Sequence, residues 1–255
     1  MKPRSRATGS RSLPPRVPGA QRGKPSSHRG KEPGVTGVRE MTIGVLGGTG
    51  AQGKGLAIRW ARAGLKVVIG SRNSERAQQA AAEIAETAGG DVTGQDNAGA
   101  AAVSDIVLLA LPWDGHAETL TALRGELAGK IVVDCVNPLG FDKQGPYALE
   151  VPEGSAAQQA EQLLPDSRVT AAFHHVSAVT LADLDVTEVD LDVLVLGDDR
   201  EATDVVRELA GLIPGVRGVY GGRLRNAHQV EALTANLIAV NRRYKAHAGL
   251  RITDI

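Results

Sequence analysis

The apolar run Ile43-Gly44-Val45-Leu46 ends in Gly48-Thr49-Gly50-Ala51-Gln52-Gly53 and passes straight into a helical stretch, Lys54 to Arg62. Strand, glycine turn and helix in that order build the first unit of a dinucleotide-binding sheet. The first glycine permits the tight turn, the second lets the backbone approach a pyrophosphate, and the third lets helix and strand pack closely. The phosphates then lie at the positive end of the helix dipole. A second apolar run, Leu65-Lys66-Val67-Val68-Ile69-Gly70, ends about 20 residues on, where an acid would mark NAD. Ser71-Arg72 stands there instead. A hydroxyl and a planar, bidentate guanidinium suit the 2′-phosphate of NADP.

The alternation continues, which is the pattern of a doubly wound α/β fold with a Rossmann-type parallel sheet. Helical pattern covers Ser74 to Thr87, Asp96 to Val103, Gly115 to Leu127 and Ser155 to Leu164. Strand pattern covers Asp91 to Gly94, Ser104 to Leu111, Lys130 to Asp134 and Arg168 to Phe173. Ligands of such sheets bind at the carboxyl ends of the strands. Thr49, Ser71, Leu111-Pro112-Trp113, Asn137-Pro138 and His174 fall there. Residues 41–184 are expected to form this NADP-binding domain. Residues 185–255 are expected to add a small C-terminal α/β domain: strands Asp192 to Gly197 and Val216 to Tyr220, a helix Asp199 to Leu212, and a long final helix Arg223 to His247.

Composition narrows the function. Basic and acidic residues balance at 29 each and only 3% are aromatic, so neither charge nor stacking favours nucleic acid. The single cysteine, Cys135, allows no internal disulfide and suits a reducing, cytoplasmic setting. No apolar run approaches the roughly 20 residues of a membrane span. The balance hides an asymmetry, because residues 1–40 carry 10 Lys or Arg and 2 acids among Pro, Gly and Ser. Subtracting them leaves 19 basic (29 less 10) and 27 acidic (29 less 2) residues. This basic segment is expected to be a disordered extension, with Met41 as a candidate true start.

Several further motifs occur in register: Gly47 through Ala57, Gly70-Ser71-Arg72, Leu111-Pro112-Trp113, Lys130 through Val133, Ala178 through Leu184, Gly197-Asp198-Asp199 and Asn226 through Asn236. Together, from Met41 to about Gly249, they resemble the coenzyme F420-dependent NADP reductases. The resemblance implies a Rossmann domain with a small C-terminal domain, NADP and coenzyme F420 as co-substrates, and hydride transfer between deazaflavin and NADP. It implies backbone contacts to the pyrophosphate from Gly48, Thr49, Gly50, Ala51, Gln52 and Gly53. Ser71 and Arg72 would hold the 2′-phosphate, with Arg76 in place of a family lysine one helical turn later. Leu111, Pro112 and Trp113 would lie along the nicotinamide half, Asn137 would contribute main chain only, and Ala178 would be the small residue beside the nicotinamide amide. His174, with Val176, would meet the deazaflavin. His175 departs from the family pattern, and strand alternation would let at most one of the two histidines face the cofactor.

No acid, base or nucleophile stands out, as expected where two ring cofactors hold the chemistry and the protein orients them. Ala171, Ala172, Val176 and Ala178 are expected to line the gap between the rings. No His, Cys or carboxylate cluster has metal-ligand spacing. Two other readings stay open: an NADP-dependent reductase of a small imine or keto acid, and a non-catalytic NADP sensor. The apolar stripe Val230, Leu233, Leu237, Ile238 and Val240 on the last helix suggests a homodimer, as does the family resemblance.

Overall fold

The computed structural model describes residues 36–255, so the expected basic extension lies outside the described residues as far as 35. Its last residues do fold. Thr36–Arg39 form a helical turn, α1, with Val38 only 1% exposed against the core and Arg39 Nη1 donating to Ala63 O at 2.8 Å. The expected boundary at 40 is therefore too late, because one valine with apolar surface to bury is enough to dock the turn.

The six expected strands of the nucleotide-binding sheet are present: β1 (Thr42–Leu46), β2 (Lys66–Ser71), β3 (Val92–Asp96), β4 (Ile106–Leu109), β5 (Ile131–Asp134) and, after a hairpin of β6 (Leu139–Asp142) with β7 (Gly145–Ala148), β8 (Arg168–Ala171). Their order is β3-β2-β1-β4-β5-β8, all parallel. The chain winds outward through β2 and β3, then returns to the other side of β1 to lay down β4. The crevice between β1 and β4 is thus the switch point where such sheets take their ligand.

The two strands expected of a separate C-terminal unit extend this sheet. β9 (Leu191–Gly197) pairs antiparallel to β8, with Ala171 opposite Leu196, and β10 (Val216–Gly222) runs parallel to β9. Residues 185–255 are therefore continuous with the sheet of residues 41–184.

Both faces of the sheet are covered, which is why its strands read as unbroken apolar runs. Ile43, Val45, Val67, Ile69, Ile106 and Leu108 point to one side, under α2 (Ala51–Arg62), α3 (Ser74–Ala88) and α9 (Arg200–Gly211). Leu46, Val68, Val107, Leu109 and Val132 point to the other. That side lies under α4 (Asn97–Val103), α5 (His116–Ala122), α6 (Arg124–Leu127), α7 (Ala156–Leu163) and α10 (Ala227–Tyr244). The expected helix over 115–127 is broken at Leu123, whose φ of −103° and ψ of 9° are not helical. The final helix is shorter than expected, opening with a 3-10 turn at Leu224–Asn226 and ending at Lys245 in the left-handed region. The short helix α8 (Ala178–Ala182) was also not legible in the sequence.

Candidate functional site

The glycine turn has the expected construction. The amides of Gly47 and Gly48 both donate to Gly70 O, at 3.1 and 3.2 Å, which ties the turn to the end of β2. A Cβ on Gly48 would lie 2.8 Å from Val45 O, and one on Gly53 2.9 Å from Gly48 Cα. Both positions are closed to side chains. Around Gly50 only Gly47 O comes near, at 3.3 Å, so its outer side is open. No side chain caps α2, and its first bond runs from Lys54 N to Gly50 O at 2.8 Å. The amides of Ala51, Gln52 and Gly53 are left for an anion, at the positive end of a twelve-residue helix. Thr49 is half-buried beside them.

Ser71 closes β2 next to this turn, its Oγ accepting from Asn73 N at 3.3 Å. Asn73 caps α3 by accepting from Arg76 N at 3.0 Å. Arg72 and Arg76 are exposed and enter no ion pair among the described residues. The two arginines, one directly after β2 and one in the first turn of α3, thus have no ion-pair partner among the described residues.

Beyond the turn opens a cavity of about 360 Å³. Its walls are the loops after β4 (Ala110 to Trp113), β5 (Cys135 to Asn137) and β8 (His174 to Ser177), with Gln52 at the turn side and Thr234, Leu237, Ile238 and Asn241 of α10 opposite. It unites Gln52, Leu111, Pro112, Trp113, Asn137, His174 and Val176 from the sequence-derived set. Gly48, Thr49, Gly50, Ala51, Gly53, Ser71, Arg72 and Arg76 lie outside it, along the β1–β2 side. Ala178 is the half-buried first residue of α8, just past the cavity wall. Ala171 and Ala172, expected to line the gap, are instead fully buried core residues, because both precede the point where the chain leaves the sheet.

That point also corrects the reading of the histidines. β8 stops at Ala171, and Phe173 takes a φ of 66°, turning the chain while its ring stacks edge-on against Trp60 at 5.5 Å. Strand alternation no longer applies beyond it, and both His174 and His175 line the cavity. They are 4% and 5% exposed, and none of their ring nitrogens has a hydrogen-bond partner among the described residues.

Burial pushes both imidazoles down to about 4 from the ordinary 6.5, so the pair is neutral. The unfolded chain takes up two protons near pH 6.5 that the folded chain refuses. The stability tied to the pair is therefore fully present above about pH 6.5 and lost as pH falls toward 4, at about 1.4 kcal/mol per unit for each histidine. Glu231, lifted by burial from 4.5 to about 7, opposes this with one proton between those values. The net expectation is a loss of about 1.4 kcal/mol per pH unit below pH 6.5. Urea midpoints at pH 7 and pH 5 check it, and a midpoint at pH 5 equal to or above that at pH 7 contradicts it.

Trp113 is not the core residue that a strand-end tryptophan can be. It is half-buried in the cavity wall, tilted by 33° against the His116 ring at 5.5 Å. Asn137, expected to act through main chain alone, uses its side chain to join three elements. Its Nδ2 donates to His174 O at 3.0 Å, and Thr234 Oγ1 donates to Asn137 Oδ1 at 3.2 Å. Cys135 is a packed donor to Leu109 O, its thiol pushed up by burial.

Two polar arrangements escaped the sequence reading. Arg59, on the helix that follows the glycine turn, is 3% exposed and donates to the carbonyls of Thr180, Leu181, Asp183 and Val186 at 2.6 to 2.8 Å. It fastens α8, and so Ala178, to α2. The other is a web of His116, Asp134 and Gln159, in which His116 bridges Gln159 and Asp134 at 2.9 Å each, with the buried Glu231 bonded to the amides that open the helix carrying Gln159. The charged residue ending an apolar run at Asp134 was the one sequence signal of it. Among the described residues no group of His, Cys, Asp or Glu is placed to hold a metal, and no helix is long and apolar enough to cross a membrane.

A Rossmann-type sheet with an open glycine turn, Arg72 where NAD enzymes carry an acid, Arg76 one helical turn later and a cavity beside the turn define a class, the NADP-dependent oxidoreductases. Comparison with known proteins narrows it. Residues 42–138 match the family model described as "NADP oxidoreductase coenzyme F420-dependent". The chain is 42% identical over 227 residues to the F420-dependent NADP reductase of Methanothermobacter thermautotrophicus, covering 86% of this chain and 97% of that protein. It is also 42% identical to the enzyme of the same name from Methanocaldococcus jannaschii, covering 84% and 99%. A crystal structure of a putative F420-dependent NADP reductase from Arthrobacter sp. FB24 superposes with a TM-score of 0.69 at 27% identity, covering 84% of this chain and all of that one. The chain belongs to the F420-dependent NADP reductase family.

Proposed function

We propose that the protein transfers a hydride directly between the ring of coenzyme F420 and the nicotinamide of NADP, at the cavity between the glycine turn and α10. The observation that carries the reading is the continuity of that cavity with the turn. Gln52 belongs to both, so a dinucleotide laid on the amides of α2 would run its far end into the same space that Trp113, His174 and Val176 enclose.

The residues present fit the two cofactors. Ala51, Gln52 and Gly53 offer amides to the pyrophosphate, with Gly48 and Gly50 leaving it room and Thr49 beside it. Ser71, Arg72 and Arg76 take the 2′-phosphate as charge-assisted donors. Leu111, Pro112 and Trp113 flank the nicotinamide, the main chain at Asn137 faces it, and Ala178 keeps its approach clear. His174 and Val176 meet the deazaflavin. The bound cofactors supply the hydride chemistry, one ring carbon giving and the other receiving. The protein's part is to bind, to orient the rings at roughly 3 to 3.5 Å, and to exclude water. Neutral imidazoles suit that task, since they add no charge to a gap through which a hydride passes.

The relatives do not favour an imine- or keto-acid reductase or a sensor. Mixing the protein with reduced F420 and NADP should yield NADPH as the visible band of oxidised deazaflavin grows. Turnover of a small imine, with no change in that band, would overturn the reading.

The apolar stripe on α10 supports a homodimer, although Leu237 and Ile238 already wall the cavity. Val230 is also buried in the core, so the surface left for a partner is Leu233 and Val240, the latter 37% exposed. A monomer by light scattering at micromolar concentration would refute it. A cytoplasmic location suits the lone free cysteine, and disulfide-linked dimers in fresh cell extract would count against it.

A further inference from the structure

We infer that Glu231 is a positioning residue for the deazaflavin side of the cavity, its carboxylate locking α10 onto α7 and so fixing the distance between the cavity's walls. The inference rests on the proposed reading of the cavity and adds a residue to it.

Glu231 is 2% exposed on a helix whose other face meets solvent. Its two oxygens are fully engaged. Oε2 accepts from Ala156 N at 3.0 Å and Oε1 from Ala157 N at 3.2 Å. Ser155 Oγ accepts from Gln158 N at 3.0 Å, so the first three amides of α7 are all satisfied by these two side chains. Burial lifts this carboxyl to about 7, so at pH 8, where the comparison below is made, the ionised form gathers these donors at the positive end of a helix. The positions that follow it at helical spacing, Thr234, Leu237, Ile238 and Asn241, are the cavity wall. One face of α10 therefore serves first as anchor and then as lining.

The anchor reaches the opposite wall as well. Gln159 of α7 meets His116, His116 meets Asp134, and Asp134 Oδ1 accepts from Val136 N at 2.9 Å, shaping the loop that lines the cavity after β5. Thr234 then bonds Asn137 across the top. The two walls are joined by a path of these hydrogen bonds linked through the backbone of α7, the loop after β5 and α10. The path passes Asn137 and Trp113 on the nicotinamide side but touches neither Ser71, Arg72 nor the amides of α2, where the proposed reading puts the charged contacts to NADP, so the larger effect should fall on the second cofactor.

In Glu231→Gln an amide NH₂ replaces one oxygen and turns a donor toward a backbone donor. Titrations of wild type and variant at pH 8 with oxidised F420 and, separately, with NADP, well below the melting midpoint, should show F420 binding weakened about tenfold and NADP binding changed less than twofold. Amide hydrogen exchange at Ala156 and Ala157 in the ligand-free protein should quicken in parallel. Glu231→Asp, which keeps the charge but shortens the reach, should fall between and guards against a variant that fails to fold. Equal weakening for both cofactors would show a merely structural role and overturn the inference, as would F420 binding at wild-type strength in a folded Glu231→Gln. Wild-type protein that takes up no F420 would overturn the parent reading and this inference with it, whereas a failure confined to the variant comparison overturns this inference alone.

Discussion

Replacing Ala178 with leucine is expected to slow hydride transfer by on the order of 10²-fold, the sensitivity of an oriented reaction to roughly 1 Å of misplacement. Ala178 opens α8 directly after the cavity-lining residues Val176 and Ser177. It cannot retreat to make room. Arg59 holds the four carbonyls that follow it, and a Cβ on Gly55 of α2 would already lie 2.8 Å from Leu181 Cβ, so α8 is pressed against α2. With Ala178 beside the nicotinamide as proposed, the added side chain would enter the gap between the rings. Binding of NADP through Arg72 and the glycine turn should change little, so the loss should fall on the single-turnover rate. A folded Ala178→Leu enzyme at wild-type rate would show that the rings do not stack there.

Arg72→Ala should cost about 1.5 to 3 kcal/mol of NADP binding, the worth of a hydrogen bond to a charged group. Arg72 is exposed and unpaired among the described residues, so removing it breaks nothing in the protein and the whole effect reads on the ligand. NAD, which lacks the 2′-phosphate, should bind the variant and the wild type alike. Selectivity should therefore collapse through loss of NADP rather than gain of NAD. Equal efficiencies for NAD and NADP in the wild type would remove the basis of this assignment, and an undiminished NADP affinity in the variant would shift the 2′-phosphate contact to Arg76.

The contrast between these two sites shows which parts of the molecule a sequence displays. The place of Arg72 was legible because its setting is local: β2, its terminal Ser71 and the turn that follows are adjacent in the chain. The glycine turn was legible for the same reason. Ala178 could be placed only by resemblance, since its surroundings come from Arg59, more than a hundred positions earlier. The histidine pair was misread by a rule that is sound within strands, because nothing in Arg168 to Phe173 announces that β8 stops at Ala171 and that Phe173 turns left-handed. Asn137, Thr234 and Glu231 were invisible as a group. They lie on segments that meet only in the folded chain, and each is an unremarkable polar residue on its own element. The strands of residues 185–255 were found, but their pairing onto β8 was not, since local apolar pattern carries no information about which sheet edge a strand joins.

On the proposed reading, hydride moves straight from one ring to the other in the cavity between the glycine turn and α10. The most direct test is reduced F420 carrying deuterium at the donor carbon, mixed with NADP and a limiting amount of enzyme in ordinary water. Direct transfer puts the label in NADPH without dilution by solvent hydrogen, on one face of the nicotinamide only. Solvent hydrogen in the product, or label on both faces, would contradict it.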